Sequence, residues 1–161
     1  MSADLQARVL AWLDEVPDPE LPSVSITDLG IVRDVRVDRD TVIVALTPTY
    51  AGCPATEAIA ADVTRALHEH GVDDVRIEQR LAPAWTTQWI TPRGRRRLSA
   101  EGIAPPHSGL ADGVVVLAQP VLCPRCGSSR TSELSRFGST PCKALYRCDD
   151  CREPFDYVKP H

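Results

Sequence analysis

The stretch "IVRDVRVDRDTVIVALT", residues 31–47, decides the fold of the first half of the chain. Two runs rich in β-branched residues, "IVRDVRV" and "TVIVALT", flank a polar turn at residues 38–40. β-Branched side chains favour strands, and two such runs around a short polar turn are typical of a hairpin. The stretch therefore predicts two paired strands.

Amphipathic helices are predicted on both sides of this hairpin. Upstream, apolar residues recur at helical spacing until Pro17, which ends the predicted helix. They are Leu5, Val9, Trp12, Leu13 and Val16. Downstream, residues 54–70 place Ile59, Val63 and Leu67 on one face, and Gly71 suits the position just after the helix.

A third strand completes the first domain. In "VDDVRIEQRL", residues 72–81, one set of side chains alternates with charged neighbours, as in a strand with one buried face. The set is Val75, Ile77, Gln79 and Leu81. The order helix, strand, strand, helix, strand predicts a small α+β domain over residues 1–82.

The rest of the chain divides into a connecting segment and a cysteine-rich tail. Residues 83–120 are expected to hold a short helix near residues 92–101, the linker "GIAPPHSG" and an apolar strand in "GVVVLAQPV". Residues 121–161 are expected to form a separate zinc ribbon.

Two CxxC pairs define that ribbon: Cys123 and Cys126 in "CPRCG", and Cys148 and Cys151 in "CDDC". Each turn can present two thiolates, and four thiolates complete the tetrahedron that zinc prefers. The metal is expected to be structural, since a module of about 40 residues cannot bury a sufficient core. Iron in a rubredoxin-like centre is the alternative. Cys142 is a spare thiol, a small buried residue or a competing ligand.

The sixth cysteine, Cys53, stands alone in "TPTYAGCPA", between the second strand and the second helix. Pro54 suits the first helical position, which puts Cys53 at or near the N-cap. The helix dipole favours an anion there, and thiolate is the form that attacks electrophiles or binds metal. A small buried cysteine would fit the same position. Asp18 and Glu20, taken alone, are typical of a loop with solvated acidic caps.

Charge is distributed unevenly along the chain. Residues 1–82 hold 7 basic and 15 acidic residues, a balance of −8, whereas residues 83–161 hold 11 and 7, a balance of +4. The acidic half argues against nucleic-acid binding. "RGRRR", residues 93–97, is a solvated face or a patch for an acidic partner. The N-terminus lacks a signal-peptide pattern and no apolar run could span a bilayer, which predicts a soluble cytoplasmic protein with metal-binding or reactive thiols.

The motifs "DPELPSVSITDLG" and "TPTYAGCPA" resemble the small domain of the MIP/SufT-like iron–sulfur assembly proteins over residues 5–82. The matching positions are Asp18, Pro19, Glu20, Asp28, Leu29, Gly30, Thr47, Pro48, Thr49, Gly52, Cys53 and Pro54. The resemblance implies a fold like the NifU C-terminal domain. It also makes Cys53 the expected cluster contact or reactive thiol. Its supporting loop residues would be Asp18, Glu20, Thr49 and Gly52.

The strings "AWTTQWIT", "GRRRL", "GIAPP" and "FGSTPCKALYRC" resemble one branch of that family, PaaD (also PaaJ), nearly end to end. That branch implies the phenylacetyl-CoA epoxidase (1,2-phenylacetyl-CoA monooxygenase) system of aerobic phenylacetate catabolism. The sequence shows no Glu-x-x-His pair, no dinucleotide-binding glycine pattern and no ferredoxin cysteine run. An accessory subunit without catalysis of its own is therefore expected.

Two functional hypotheses of different classes follow. In the first, the chain assists iron–sulfur cluster assembly in the reductase, an iron–sulfur flavoprotein, with Cys53 holding a transient cluster that a homodimer could share. In the second, it is a structural adaptor of the oxygenase complex, and the ribbon and residues 93–97 are interaction surfaces. Nucleic-acid binding by the ribbon and disulfide exchange between Cys53 and Cys142 are the remaining alternatives.

Overall fold

The computed structural model of the protein describes residues 2–107 and 119–161. Contacts divide the chain into two compact units, residues 1–91 and residues 92–161. Residues 83–91, assigned from sequence to a connecting segment, belong to the first unit by these contacts. The three-part division of the chain stays a prediction.

The first unit contains the five predicted elements in the predicted order. They are α1 (Ser2–Leu13), β1 (Val32–Asp38), β2 (Thr41–Leu46), α2 (Ala55–Glu69) and β3 (Asp74–Gln79). The strands form one sheet in the order β1-β2-β3. β1 and β2 are the antiparallel hairpin, while β3 pairs parallel to β2 after the α2 crossover. The α+β class is confirmed.

The sheet buries one face under the two helices. Register aligns Val35, Val44 and Ile77 in one row across the three strands. The buried helix residues are Val9 and Leu13 of α1 and Ile59, Val63 and Leu67 of α2. The two register rows that flank this one, Asp34–Ala45–Glu78 and Arg36–Ile43–Arg76, are charged at both edges of the sheet. Arg36 forms ion pairs across these rows with Asp34 and Glu78. The helical spacing of apolar residues therefore identified the core side of α2 correctly.

Two predicted details of this unit differ from the structure. α1 ends at Leu13, and the chain reaches Pro17 through turns, although Val16 is still buried. Gln79 and Leu81 were expected to continue the alternating face of β3, but both are exposed, Leu81 to 65%. The reason is that β3 ends at Gln79: the Arg80 N–H still bonds to the Leu46 carbonyl, and no strand is assigned beyond it.

The second unit begins with the predicted short helix, α3 (Pro92–Ala100), and continues into a four-stranded sheet. Its strands are β4 (Ile103–Ala104), β5 (Thr131–Ser135), β6 (Lys143–Cys148) and β7 (Pro154–Val158), in the order β4-β7-β6-β5. β5 and β6 form the predicted hairpin between the CxxC pairs. The predicted apolar strand near residues 113–121 lies largely outside the described residues, and residues 119–121 form no strand.

Across residues 2–107 and 119–161, the helices are all too short or too polar to cross a bilayer.

Candidate functional site

Four cysteines meet at one end of the ribbon. Cys123 and Cys126 come from the turn before β5, Cys148 ends β6, and Cys151 lies in the turn before β7. Their four Sγ atoms all lie within 4.8 Å of one another. The Sγ atoms of Cys123 and Cys151 are 3.7 Å apart, and those of Cys126 and Cys148 are 3.5 Å apart. These distances exceed the S–S bond of about 2 Å, and the four thiols are free.

The two CxxC turns have the same backbone construction. In the first, the Gly127 N–H donates to the Cys123 carbonyl at 2.9 Å, and in the second the Arg152 N–H donates to the Cys148 carbonyl at 3.0 Å. Both donors adopt a left-handed conformation, with φ of 74° at Gly127 and 67° at Arg152. A non-glycine residue in that region costs about 1–2 kcal/mol. The second turn therefore has the same hydrogen-bonded geometry as the first, with backbone strain at Arg152.

The four thiols fit a tetrahedral metal ion. A Zn–S bond of about 2.3 Å gives a sulfur–sulfur edge of about 3.8 Å in a regular tetrahedron. The two closest pairs, at 3.5 and 3.7 Å, lie near that edge. Cys123 and Cys148 are buried, whereas Cys126 and Cys151 are exposed. The centre would thus lie at the surface end of the ribbon core.

Proton affinities within the cluster are unequal. The backbone N–H of Cys151 lowers the pKa of the Cys148 thiol to about 7. The backbone N–H of Glu153 also favours the thiolate of Cys151, but desolvation and the neighbouring thiols outweigh it and raise the pKa of Cys151 to about 12. Neighbouring thiolates repel one another, so full ionisation of the cluster requires a bound cation.

Cys142 lies outside this cluster. The residue is 7% exposed, and its Sγ atom is 3.1 Å from the Thr140 hydroxyl, in the loop before β6. The group that could hold a metal within the described residues contains the other four tail cysteines. Of the three interpretations of Cys142, the small buried residue fits this position.

Cys53 lies just below the surface of the loop between β2 and α2. The residue is 9% exposed, while Gly52 and Pro54 beside it are exposed. The Cys53 N–H donates to the Tyr50 carbonyl at 3.2 Å, and Gly52 has a φ of 78°. Pro54 is the N-cap of α2 and not its first helical residue, so Cys53 precedes the cap by one position. The thiol is thus near the helix N-terminus, as predicted, but covered.

The predicted supporting residues occupy several environments. Asp18 is 5% exposed, and its Oδ1 accepts the N–H groups of Glu20 and Leu21, both at 2.9 Å. The expectation of a solvated cap is therefore wrong for Asp18, because its carboxylate closes its own loop. Glu20 and Thr49 are half-buried.

The topology brings two motif loops to the same end of the sheet. β1 runs antiparallel to β2, so the segment before β1 and the loop after β2 meet there. The Thr47 N–H donates to the Ile31 carbonyl at 2.9 Å, which joins "TDLGI" to "TPTYAGC" directly. The structure does bring these two sequence motifs together, although they are separated by a hairpin.

Sequence reasoning missed three residues that contact this sheet end: Trp85, Trp89 and Thr91. The Trp85 indole N–H donates to the Leu29 carbonyl at 2.8 Å, and Thr91 bonds to Asp28. The string "AWTTQWIT" distinguished the segment, but nothing in it indicated a partner about 60 residues upstream. Long-range contacts of irregular segments leave no periodic signal.

Comparison with known proteins agrees with both halves of this description. Residues 6–78 match the family described as iron–sulfur cluster assembly protein, and residues 113–159 match the PaaD zinc beta ribbon domain. A protein of Escherichia coli (strain K12), named as a putative subunit of 1,2-phenylacetyl-CoA epoxidase, is 50% identical over 154 residues. The alignment covers 94% of this chain and 91% of that protein. The chain belongs to the PaaD family.

Solved structures resemble the first unit of this PaaD-family chain. A domain of unknown function DUF59 from Bacillus anthracis is 28% identical with a TM-score of 0.57, covering 60% of this chain and 93% of that one. A conserved hypothetical protein from Thermotoga maritima is 32% identical with a TM-score of 0.49, covering 58% and 92%. The DUF59 structure supports the α+β fold, and the predicted family and ribbon are confirmed.

Proposed function

We propose that this chain is a maturation subunit of a phenylacetyl-CoA epoxidase and assists iron–sulfur cluster assembly in the reductase component. The observation that carries the proposal is the fusion of an iron–sulfur cluster assembly domain, residues 6–78, to a PaaD zinc ribbon, residues 113–159. The Escherichia coli relative is named as a putative component of such an epoxidase, which supports the choice of system.

Cys53 would be the residue that handles iron. It is the single cysteine of residues 1–91, whereas stable clusters are held by four thiolates. One protein thiolate leaves most iron positions to sulfide, to the client or to a second copy of the chain, so binding is readily reversed. During transfer a client thiolate replaces the Cys53 thiolate on iron and Cys53 takes up a proton. No electron has to move in this exchange.

The ribbon would hold zinc as a structural ion. Four thiolates in tetrahedral arrangement suit zinc, and a closed set of four protein ligands leaves no open position for catalysis. The ion would stabilise a module whose buried core is small, with residues Ala104, Val121, Ala144, Phe155 and Tyr157 around the inner thiols. This fits a subunit that supports other proteins and does not itself turn over a substrate.

Replacing Cys53 by alanine is expected to abolish iron binding by the first unit. The chain is dialysed to equilibrium without oxygen against Fe²⁺ and sulfide, and the iron per chain in excess of the dialysis buffer is measured. Wild type should bind iron in addition to the ribbon metal, and Cys53→Ala should hold only the ribbon metal. Cys142→Ala is the matched control, since it removes another buried cysteine, and should behave as wild type. Equal iron in all three proteins would remove Cys53 from the proposal.

A second candidate function is that of an adaptor within the oxygenase complex. The ribbon exposes three large apolar side chains, which are 52–65% accessible: Leu122, Leu134 and Phe137. Exposed apolar residues mark a partner surface where they form a contiguous patch, and these three are the ribbon's candidates for such a patch. The adaptor hypothesis expects stoichiometric co-purification with the oxygenase and full activity of the complex containing Cys53→Ala. The maturation hypothesis expects the reductase to lose its cluster in that variant.

A further inference from the structure

We propose that residues 85–91 form a strap that fixes the turn at residues 28–30 and, through it, the loop of Cys53. Trp85 and Thr91 are its positioning residues. The inference concerns how the fold shields the Cys53 thiol from solvent. It rests on the proposed function only for the claim that this shielding controls access of iron or a client to Cys53. No part of the strap was expected from sequence to contact the first domain.

Hydrogen bonds join both ends of the strap to the turn. At one end, Trp85 is 6% exposed and its indole N–H donates to the Leu29 carbonyl at 2.8 Å. At the other end, the Thr91 N–H donates to the Asp28 carbonyl at 2.8 Å, and its hydroxyl donates to Asp28 Oδ1 at 2.6 Å. Asp28 is fully buried, and a buried carboxylate requires such donors.

The middle of the strap packs directly on the turn. Gly30 has a φ of 72°, and a Cβ added there would lie 2.6 Å from Trp89 Cβ and 2.7 Å from the Trp89 carbonyl oxygen. The Arg33 guanidinium lies 3.5 Å from the centre of the Trp89 ring and donates to the Gly30 carbonyl at 3.4 Å. Thr87 and Ile90 are also buried. The glycine is therefore needed for close approach of the strap as well as for its backbone angle.

A backbone hydrogen bond links the residue after the turn to the start of the Cys53 loop. Ile31 follows the turn, and its carbonyl accepts the Thr47 N–H at 2.9 Å. Thr47 is 2% exposed and begins the loop that contains Cys53. Since Cys53 is only 9% exposed, a reagent or client reaches its thiol when this loop opens locally. Loosening the strap should make that opening more frequent.

The test measures alkylation of Cys53 in the full-length, metal-containing protein. Iodoacetamide labelling is followed at the Cys53 peptide by mass spectrometry, which separates it from the tail cysteines. Thr91→Val removes the hydroxyl at constant shape and should raise the Cys53 rate about tenfold, the factor expected when the lost hydrogen bond to the Asp28 carboxylate contributes fully to opening of the loop. Thr91→Ser keeps the hydroxyl and should stay within about twofold of wild type.

The control separates positioning from general destabilisation. Val9→Ala weakens the buried face of α1 in the same unit without touching the strap, and Val9 is fully buried. Urea titration measures the unfolding free energy of each variant. A Cys53 rate for Thr91→Val that is unchanged, or no higher than that of Val9→Ala at equal loss of stability, would overturn the proposal. The outcome does not depend on whether Cys53 binds iron, so the two proposals can fail separately.

Discussion

Replacing Cys123 by serine is expected to release the ribbon metal and unfold the ribbon. Cys123 is 2% exposed and its Sγ atom lies 3.7 Å from that of Cys151, inside the four-sulfur cluster. Structural zinc binding contributes about 10–16 kcal/mol in small zinc domains, because the site forms only in the folded state. A serine hydroxyl is a poor replacement for a thiolate, and the remaining core is too small to hold the strands.

Elemental analysis and near-ultraviolet circular dichroism check this result. Wild type should contain one metal ion per chain, and Cys123→Ser should contain little and lose the tyrosine signal of the ribbon. Cys142→Ala is the matched control because Cys142 is buried in the same sheet region but lies outside the cluster. Retention of the metal by Cys123→Ser, or its loss from Cys142→Ala, would contradict the assigned ligand set.

Replacing Gly30 by alanine is expected to destabilise the first unit by about 2–5 kcal/mol. A left-handed backbone costs a non-glycine residue about 1–2 kcal/mol, and overpacking adds about 1–3 kcal/mol. Overpacking applies because the new Cβ would lie 2.7 Å from the backbone oxygen of Trp89, which cannot rotate away. All three tryptophans lie in residues 1–91, so their fluorescence during urea unfolding reports this unit alone.

Gly71→Ala is the control for the free-energy cost of placing a non-glycine residue in the left-handed conformation. Gly71 has a φ of 82°, close to that of Gly30, but an added Cβ would meet nothing within 4 Å. This variant should therefore lose only about 1–2 kcal/mol. Equal losses of unfolding free energy in the two variants would mean that an added Cβ at residue 30 does not clash with Trp89 of the strap.

Local patterns predicted the parts of the fold that depend on neighbouring residues. Ile59, Val63 and Leu67 are spaced for one helix face and are buried, and the CxxC pairs are brought together as their spacing predicted. β4, Ile103–Ala104, was missed because two residues carry no period. Leu81 was misplaced because the alternation continued in sequence after the strand had ended.

Contacts between distant residues were the part that sequence could not supply. Gly30 and Asp28 belong to a recognisable motif, but their partners Trp89 and Thr91 lie about 60 residues later in an irregular segment. Burial of Cys53 and Asp18 likewise depends on packing between loops. A motif identifies residues that matter, whereas their exposure follows from the tertiary structure.

The central claim is tested most directly by the cluster content of the epoxidase reductase made in cells with this protein, with Cys53→Ala, with Cys142→Ala, or without any of them. Iron and acid-labile sulfide per reductase are measured after purification without oxygen. The maturation function predicts full occupancy with wild type and Cys142→Ala, and a severalfold lower occupancy with Cys53→Ala that matches the culture lacking the protein. Equal occupancy in all cultures would contradict it and leave the adaptor function.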